Sequence, residues 1–132
     1  MRVVAGSVRG FNLIVPSGKN TRPTTNRIKE TLFNILQWDI AGCRFLDLFS
    51  GSGGIAIEAL SRGAKEAVMV EKDREAVRCI KQNVQHTKMD DRSRVMPMDV
   101  MQALRRLEQA GQPFDIISVS YTHLRAHETC AD

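Results

Sequence analysis

The eleven residues Arg44-Phe45-Leu46-Asp47-Leu48-Phe49-Ser50-Gly51-Ser52-Gly53-Gly54 constrain this chain more than any others, because they read as a buried strand running into a glycine turn that opens a helix. Phe45, Leu46, Leu48 and Phe49 supply the apolar strand, and Gly51 and Gly53 let the backbone turn tightly and approach a ligand closely. Ile55-Ala56-Ile57-Glu58-Ala59-Leu60 then begins the helix. A second short apolar strand, Ala67-Val68-Met69-Val70, ends in Glu71, twenty positions after Gly51, the distance at which an acidic side chain reaches a cofactor ribose. A Gly-x-Gly alone would mark only a turn. Strand, turn, helix and acid in this order point to a nucleotide-cofactor loop.

Asp47 narrows the choice of cofactor. A dinucleotide brings a pyrophosphate to the helix N-terminus, where a carboxylate inside the preceding strand would repel it. S-adenosylmethionine carries a sulfonium and an ammonium instead, and an acid four residues before Gly51 suits both. A phosphate-cradling P-loop is excluded, since no Lys-Ser or Lys-Thr follows the glycines.

The flanking pattern defines the architecture. Strands are predicted at 45–49, 67–71, 94–98 and 114–117, alternating with helices at about 54–62, 73–86 and 99–110. Such alternation requires a parallel sheet with crossover helices, expected in the order 3-2-1-4, with the cofactor beyond the carboxyl ends of the strands. Residues 47–54, 71–73 and 98–100 fall at those ends. Upstream, the β-rich runs Arg2–Gly6 and Phe11–Val15 suggest a hairpin with basic residues near its turn, ended by Pro16. Thr24-Thr25-Asn26 offers N-caps for a helix whose Ile28, Leu32, Phe33, Ile35 and Leu36 share a face, closed by Gly42.

At 132 residues, 42% hydrophobic and 26% charged, the chain has the composition of one soluble globular domain, with no apolar run of membrane length and no signal-peptide pattern; a cytoplasmic location is expected. Cys43, Cys79 and Cys130 lack CxxC spacing and are expected as buried or free thiols. The net charge of +4 is unevenly spread: residues 1–30 hold six basic residues against Glu30 alone, a net of +5, and the remainder is close to neutral. A basic N-terminal segment on a near-neutral core suits a polyanionic substrate.

Taken in order, Gly6-Ser7-Val8-Arg9-Gly10, Arg22-Pro23-Thr24-Thr25-Asn26-Arg27-Ile28-Lys29-Glu30-Thr31-Leu32-Phe33-Asn34, the Asp47–Gly53 loop and Glu58-Ala59-Leu60-Ser61-Arg62-Gly63-Ala64 resemble the bacterial small-subunit ribosomal RNA guanine-N2 methyltransferases of the RsmD family, from residue 1 to about 117. The resemblance implies an α/β fold of the Rossmann-like, class I S-adenosylmethionine-dependent methyltransferase type, with a 16S ribosomal RNA or assembling small-subunit substrate and no metal. It further implies that Glu71 binds the ribose hydroxyls, Lys72 borders the adenine and Asp99 addresses the adenine amino group. Asp47, with Ser50, Gly51 and Gly53, would hold the methionine end. Arg22, Thr24 and Thr25 would lie near the cofactor, while Arg9, Arg27 and Lys29 face RNA. Asp99 also suits a simple N-cap, and Met96, Met98 and Met101 are expected to be gap-filling core.

The family's Asp-Pro-Pro-Tyr-type motif, which positions the attacking amino group, does not follow the fourth strand. Ser120-Tyr121-Thr122-His123 stands at its place. Residues 119–129 resemble the in-frame translation of a transposase sequencing adaptor. The expected organisation is therefore an N-terminal basic hairpin and helix over 1–42, a partial cofactor-binding core over 43–117 truncated after its fourth strand, and a non-native tail over 118–132. His123, His127 and Cys130 imitate metal-ligand spacing, but the adaptor accounts for all three. No catalytic residue is assigned, and the fragment is expected to be inactive. Two rivals remain: an amino-methyltransferase with another target, adenine N6 in DNA or a protein glutamine, and a noncatalytic RNA- or cofactor-binding protein.

Overall fold

A strand covered on both faces reads as a continuous apolar run, and Arg44–Leu48 (β1) and Glu66–Val70 (β2) are each buried at every position after the first. The computed structural model describes residues 1–16 and 26–119. Within them, β1, β2, Ser93–Met96 (β3) and Ile116–Val119 (β4) form one sheet in the order β3-β2-β1-β4, and all three neighbouring pairs are parallel. Parallel neighbours need long crossovers, supplied here by helices Gly54–Ser61 (α2), Arg74–His86 (α3) and Val100–Ala110 (α4), while Asn26–Leu36 (α1) precedes the sheet. These elements match the predicted alternation to within about two residues at each end.

The period-2 alternation of β1 divides the core in two. Phe45, with Ala67 and Met69 of β2, packs under Ile57 and Leu60 of α2 and Phe33 of α1. Leu46 and Leu48, with Val68 and Val70, pack under Ala103 and Leu107 of α4. All eight residues of α2 are buried, because the sheet lies on one side of it and the N-terminal segment on the other.

That N-terminal segment departs from the predicted hairpin. It forms a single antiparallel bridge, Arg2 to Asn12, supported by Val3 N–H donating to the Phe11 carbonyl at 2.9 Å and Gly10 N–H to the Val3 carbonyl at 2.8 Å. Leu13 N–H donates to the Met1 carbonyl at 2.7 Å, and other main-chain groups of the segment turn to the body of the protein. Val4 and Ala5 N–H donate to the Glu58 carboxylate (2.9 and 3.1 Å), and Ser7 N–H donates to the Ser61 carbonyl (2.8 Å). At Gly6, φ is +93° and a Cβ would sit 2.0 Å from the Ser61 carbonyl oxygen, so only glycine permits this approach.

Three further expectations are corrected. Helix α1 ends at Leu36 and not at Gly42, and its interior face is centred on Lys29 and Phe33, leaving Ile28 and Ile35 57% and 73% exposed. The cause is electrostatic: Lys29 turns inward to the carboxylate of Glu58. Ser118 and Val119, expected in the tail, are paired with Asp47 and Leu48 in β4. Cys43 and Cys79 are buried free thiols; Cys130, His123, His127 and the rest of the tail lie outside the described residues, as do Arg22, Thr24 and Thr25.

Candidate cofactor site

Strand β1 stops at Leu48 because Phe49 enters the left-handed region (φ 57°), an uncommon conformation for a bulky residue and typical of functional turns. Ser50 N–H then returns to the Val70 carbonyl at 2.9 Å, tying the turn to the end of β2. Gly51 (φ +60°) and Gly53 (φ +81°) complete it, and Gly53 caps α2. Among the described residues, apart from its own chain neighbours, nothing lies within 4 Å of where a Gly51 Cβ would stand, so the turn presents bare backbone on that side.

Two carboxylates support this turn from below. Glu71 is buried, one oxygen accepting from Gly51 N–H at 2.8 Å and the other from Asp73 N–H at 3.0 Å. Asp47 is 1% exposed and accepts from Ser50 Oγ at 2.9 Å. Burial pushes the Asp47 carboxyl up to about 7; the Ser50 hydrogen bond opposes this and the charge of Glu71 adds to it.

Beside the turn lies a cavity of about 220 Å³ at the carboxyl ends of β1, β2 and β3, lined by Phe49, Val70, Glu71, Lys72 and the start of α4 with the residues before it, Met98 to Met101. It is smaller than whole-ligand pockets of ~300–1,000 Å³ and suits one end of an extended cofactor, the rest lying over the glycine turn. A larger hollow of about 720 Å³, around Trp38, Cys43 and Asp115–Ile117, sits at the opposite ends of β1 and β4. Ligands of open parallel sheets bind at the carboxyl ends, and this hollow carries no glycine turn.

The structure therefore gathers Asp47, Ser50, Gly51, Gly53, Glu71, Lys72 and Asp99 at one end of the sheet. Asp99 also caps α4, accepting from Gln102 N–H at 3.0 Å, so both readings of it are compatible. Arg9 and Arg27 are exposed. Lys29 is not: its side chain is fully buried, paired with Glu58 at 3.1 Å and donating to the Arg2 carbonyl at 2.8 Å, so it faces no substrate. Sequence reasoning missed Phe49 as a cavity wall by counting it in the strand. It also placed Met101 in the core, whereas that residue is exposed at the cavity, and of Met96, Met98 and Met101 only Met96 is fully interior. Among the described residues no group of three or more His, Cys, Asp or Glu could hold a metal, and no helix is long and apolar enough to cross a membrane.

Sheet order, glycine turn and strand-end acid define a Rossmann-like, class I methyltransferase fold. The model of the family described as "Conserved hypothetical protein 95" matches residues 1–121, and the chain belongs to that family. It is 39% identical over 119 residues to the ribosomal RNA small subunit methyltransferase D of Escherichia coli (strain K12), covering 90% of this chain and 58% of that protein. Among solved structures, a hypothetical protein of Thermus thermophilus superposes with a TM-score of 0.80 at 38% identity, over 90% of this chain and 67% of that one. The SAM-dependent methyltransferase from Agrobacterium tumefaciens gives a TM-score of 0.58 at 25% identity, over 69% of this chain and 29% of that one. The chain thus spans a little under three fifths of the Escherichia coli relative.

Proposed function

We propose that this chain forms the cofactor-binding part of an S-adenosylmethionine-dependent methyltransferase acting on the exocyclic N2 of a guanine in small-subunit ribosomal RNA, in the cytoplasm. One observation carries the cofactor reading: two buried carboxylates, Asp47 and Glu71, underlie an open glycine turn beside a cavity sized for a nucleoside end. Negative charge there, Asp47's appearing as pH rises through about 7, favours a cationic ligand and disfavours a pyrophosphate. When bound, S-adenosylmethionine supplies a sulfonium-activated methyl that an amine nitrogen takes by direct displacement, without a metal or covalent intermediate.

The residues bind and orient. Each Glu71 oxygen already accepts one backbone N–H and keeps a lone pair for a ribose hydroxyl. Lys72 and Asp99 wall the adenine end and Asp47 faces the methionine end through Ser50 and the Gly51 and Gly53 turn; a cofactor role for Arg22, Thr24 and Thr25, which lie outside the described residues, rests on the family resemblance alone. RNA is met by Arg9 and Arg27 of the basic N-terminal segment. The Escherichia coli relative's name supports ribosomal RNA as the substrate.

Calorimetry tests the cofactor, and a chimera tests the reaction. The chain should bind S-adenosylmethionine and not a nicotinamide dinucleotide. Glu71→Ala should weaken that binding about tenfold or more, because charge-assisted hydrogen bonds are worth ~1.5–3 kcal/mol each; unchanged affinity would make Glu71 a merely structural acid. The 132-residue chain should not methylate small-subunit RNA, since Ser120-Tyr121-Thr122-His123 replaces the amine-positioning motif. Joining residues 1–117 to the corresponding remainder of the Escherichia coli relative should restore incorporation of labelled methyl. A chimera that binds cofactor yet leaves assembling small subunits unmethylated would show the substrate to be wrong.

A further inference from the structure

Asn83, in the last turns of α3, is 1% exposed and joins two segments far apart in sequence. Its Oδ1 accepts from Ile14 N–H at 2.7 Å, and its Nδ2 donates to the Ile14 carbonyl at 2.8 Å and to the Ser52 carbonyl at 2.9 Å. Both amide hydrogens are thereby used, and the side chain pairs with Ile14 as a neighbouring strand would. Ser52 stands between Gly51 and Gly53 in the cofactor turn, while Ile14 is the outgoing end of the basic N-terminal segment, just before the stretch that contains Arg22, Thr24 and Thr25.

We propose that Asn83 is a positioning residue that makes the shape of the cofactor turn depend on the docking of the N-terminal segment. The proposal rests on the reading that S-adenosylmethionine lies over this turn. A glycine turn is intrinsically loose, and a single fixed acceptor in its middle selects one conformation from many. The amide can hold Ser52 only while Ile14 holds the amide: released from the two Ile14 bonds, it is free to rotate away from the Ser52 carbonyl. Substrate drawn to Arg9 would press the segment into its docked position and so sharpen the turn, and cofactor on the turn would fix the segment in return, as reciprocal coupling requires.

The test is a mutant cycle on the full 132-residue chain, read by calorimetry with S-adenosylmethionine. Ile14→Pro deletes the N–H that Asn83 accepts, one of its two bonds to residue 14, keeps the carbonyl bond and leaves every residue of the turn in place; the Ile14 side chain is largely exposed, so folding should be preserved. Asn83→Ala deletes the whole link. Asn83→Ala should weaken binding roughly fivefold, Ile14→Pro roughly twofold because the carbonyl bond remains, and the double variant should bind no more weakly than Asn83→Ala alone. Cofactor should slow hydrogen exchange at residues 3–14 in the unaltered chain and not in Asn83→Ala. Unaltered affinity in Ile14→Pro, or effects that multiply in the double variant, would overturn the link while leaving the cofactor reading intact. Failure of the unaltered chain to bind S-adenosylmethionine would overturn that reading and the link with it. Should Asn83→Ala fail to fold, Ile14→Pro decides alone, by its affinity and by the same exchange measurement.

Discussion

Asp47→Asn is expected to raise the melting temperature at pH 8 while weakening S-adenosylmethionine binding. The buried Asp47 carboxyl titrates at about 7 in the folded chain against an ordinary value of 3.8, burial being the main cause. Below about pH 4 it is protonated in both states and contributes nothing to the pH dependence of stability. From there to about pH 7 the unfolded chain releases the proton and the folded chain retains it, so the folded state binds more protons and stability falls as pH rises. Above pH 7 the penalty is complete and constant, at most about 4 kcal/mol. Asparagine has no such penalty, and its amide can still pair with Ser50 Oγ. A gain on the order of 5–10 °C at pH 8, absent at pH 4, should therefore appear in thermal melts. The same carboxylate, once ionised, is the group that a sulfonium or ammonium would seek. Cofactor affinity in the unaltered chain should accordingly rise with pH through 7 and then level, whereas in Asp47→Asn it should be lower and flat. Equal melting temperatures at pH 8 would mean that water or a cation already compensates Asp47.

What was legible in the sequence is the part governed by local periodicity and turn chemistry. Strands β1 and β2 declare themselves because they are short runs of mostly apolar residues, the glycine turn because its Gly51 and Gly53 sit at positive φ, and Glu71 because its distance from Gly51 is set by one helix and one strand. The hidden part depends on partners distant in sequence. Lys29 sits four residues before Phe33, on the same helical face, but a lysine in a basic run reads as solvent-facing until its counter-charge is known. That counter-charge, Glu58, lies on α2, which is buried all round. The N-terminal runs have strand composition and pair with each other at one bridge, yet the N–H groups of Val4, Ala5, Ser7, Val8 and Ile14 go to Glu58, Ser61 and Asn83 rather than to a sheet. Phe49 was misread for a simpler reason: an aromatic residue in a left-handed turn is indistinguishable by composition from the last residue of a strand.

Because that counter-charge is shared so widely, loss of Glu58 should be the most damaging single change in the described residues. Its carboxylate, fully buried, accepts from Lys29 Nζ at 3.1 Å, Arg62 Nε at 2.8 Å, and Val4 and Ala5 N–H. Burial by itself would raise this carboxyl. The hydrogen bond from Val4 N–H and the charges of Arg62 and Lys29 outweigh burial and hold it below the ordinary glutamate range. Its stabilisation is therefore present above the unfolded value of 4.5 and is lost as pH falls through the lower folded value. Glu58→Ala strands the Lys29 ammonium in the interior and leaves two backbone N–H groups without their acceptor, a loss of about 3–5 kcal/mol from a domain whose whole stability is roughly 5–15 kcal/mol. Lys29→Met should cost far less, because Glu58 keeps Arg62 and both N–H donors, and a methionine fills the same apolar slot. Adding Lys29→Met to Glu58→Ala should recover part of the loss by removing the uncompensated charge. Urea unfolding of the three variants at pH 7 measures these differences directly. Similar losses for Glu58→Ala and Lys29→Met, with no recovery in the double variant, would show that the pair is a minor contact and that the N-terminal segment is held by Ser61 and Asn83 instead.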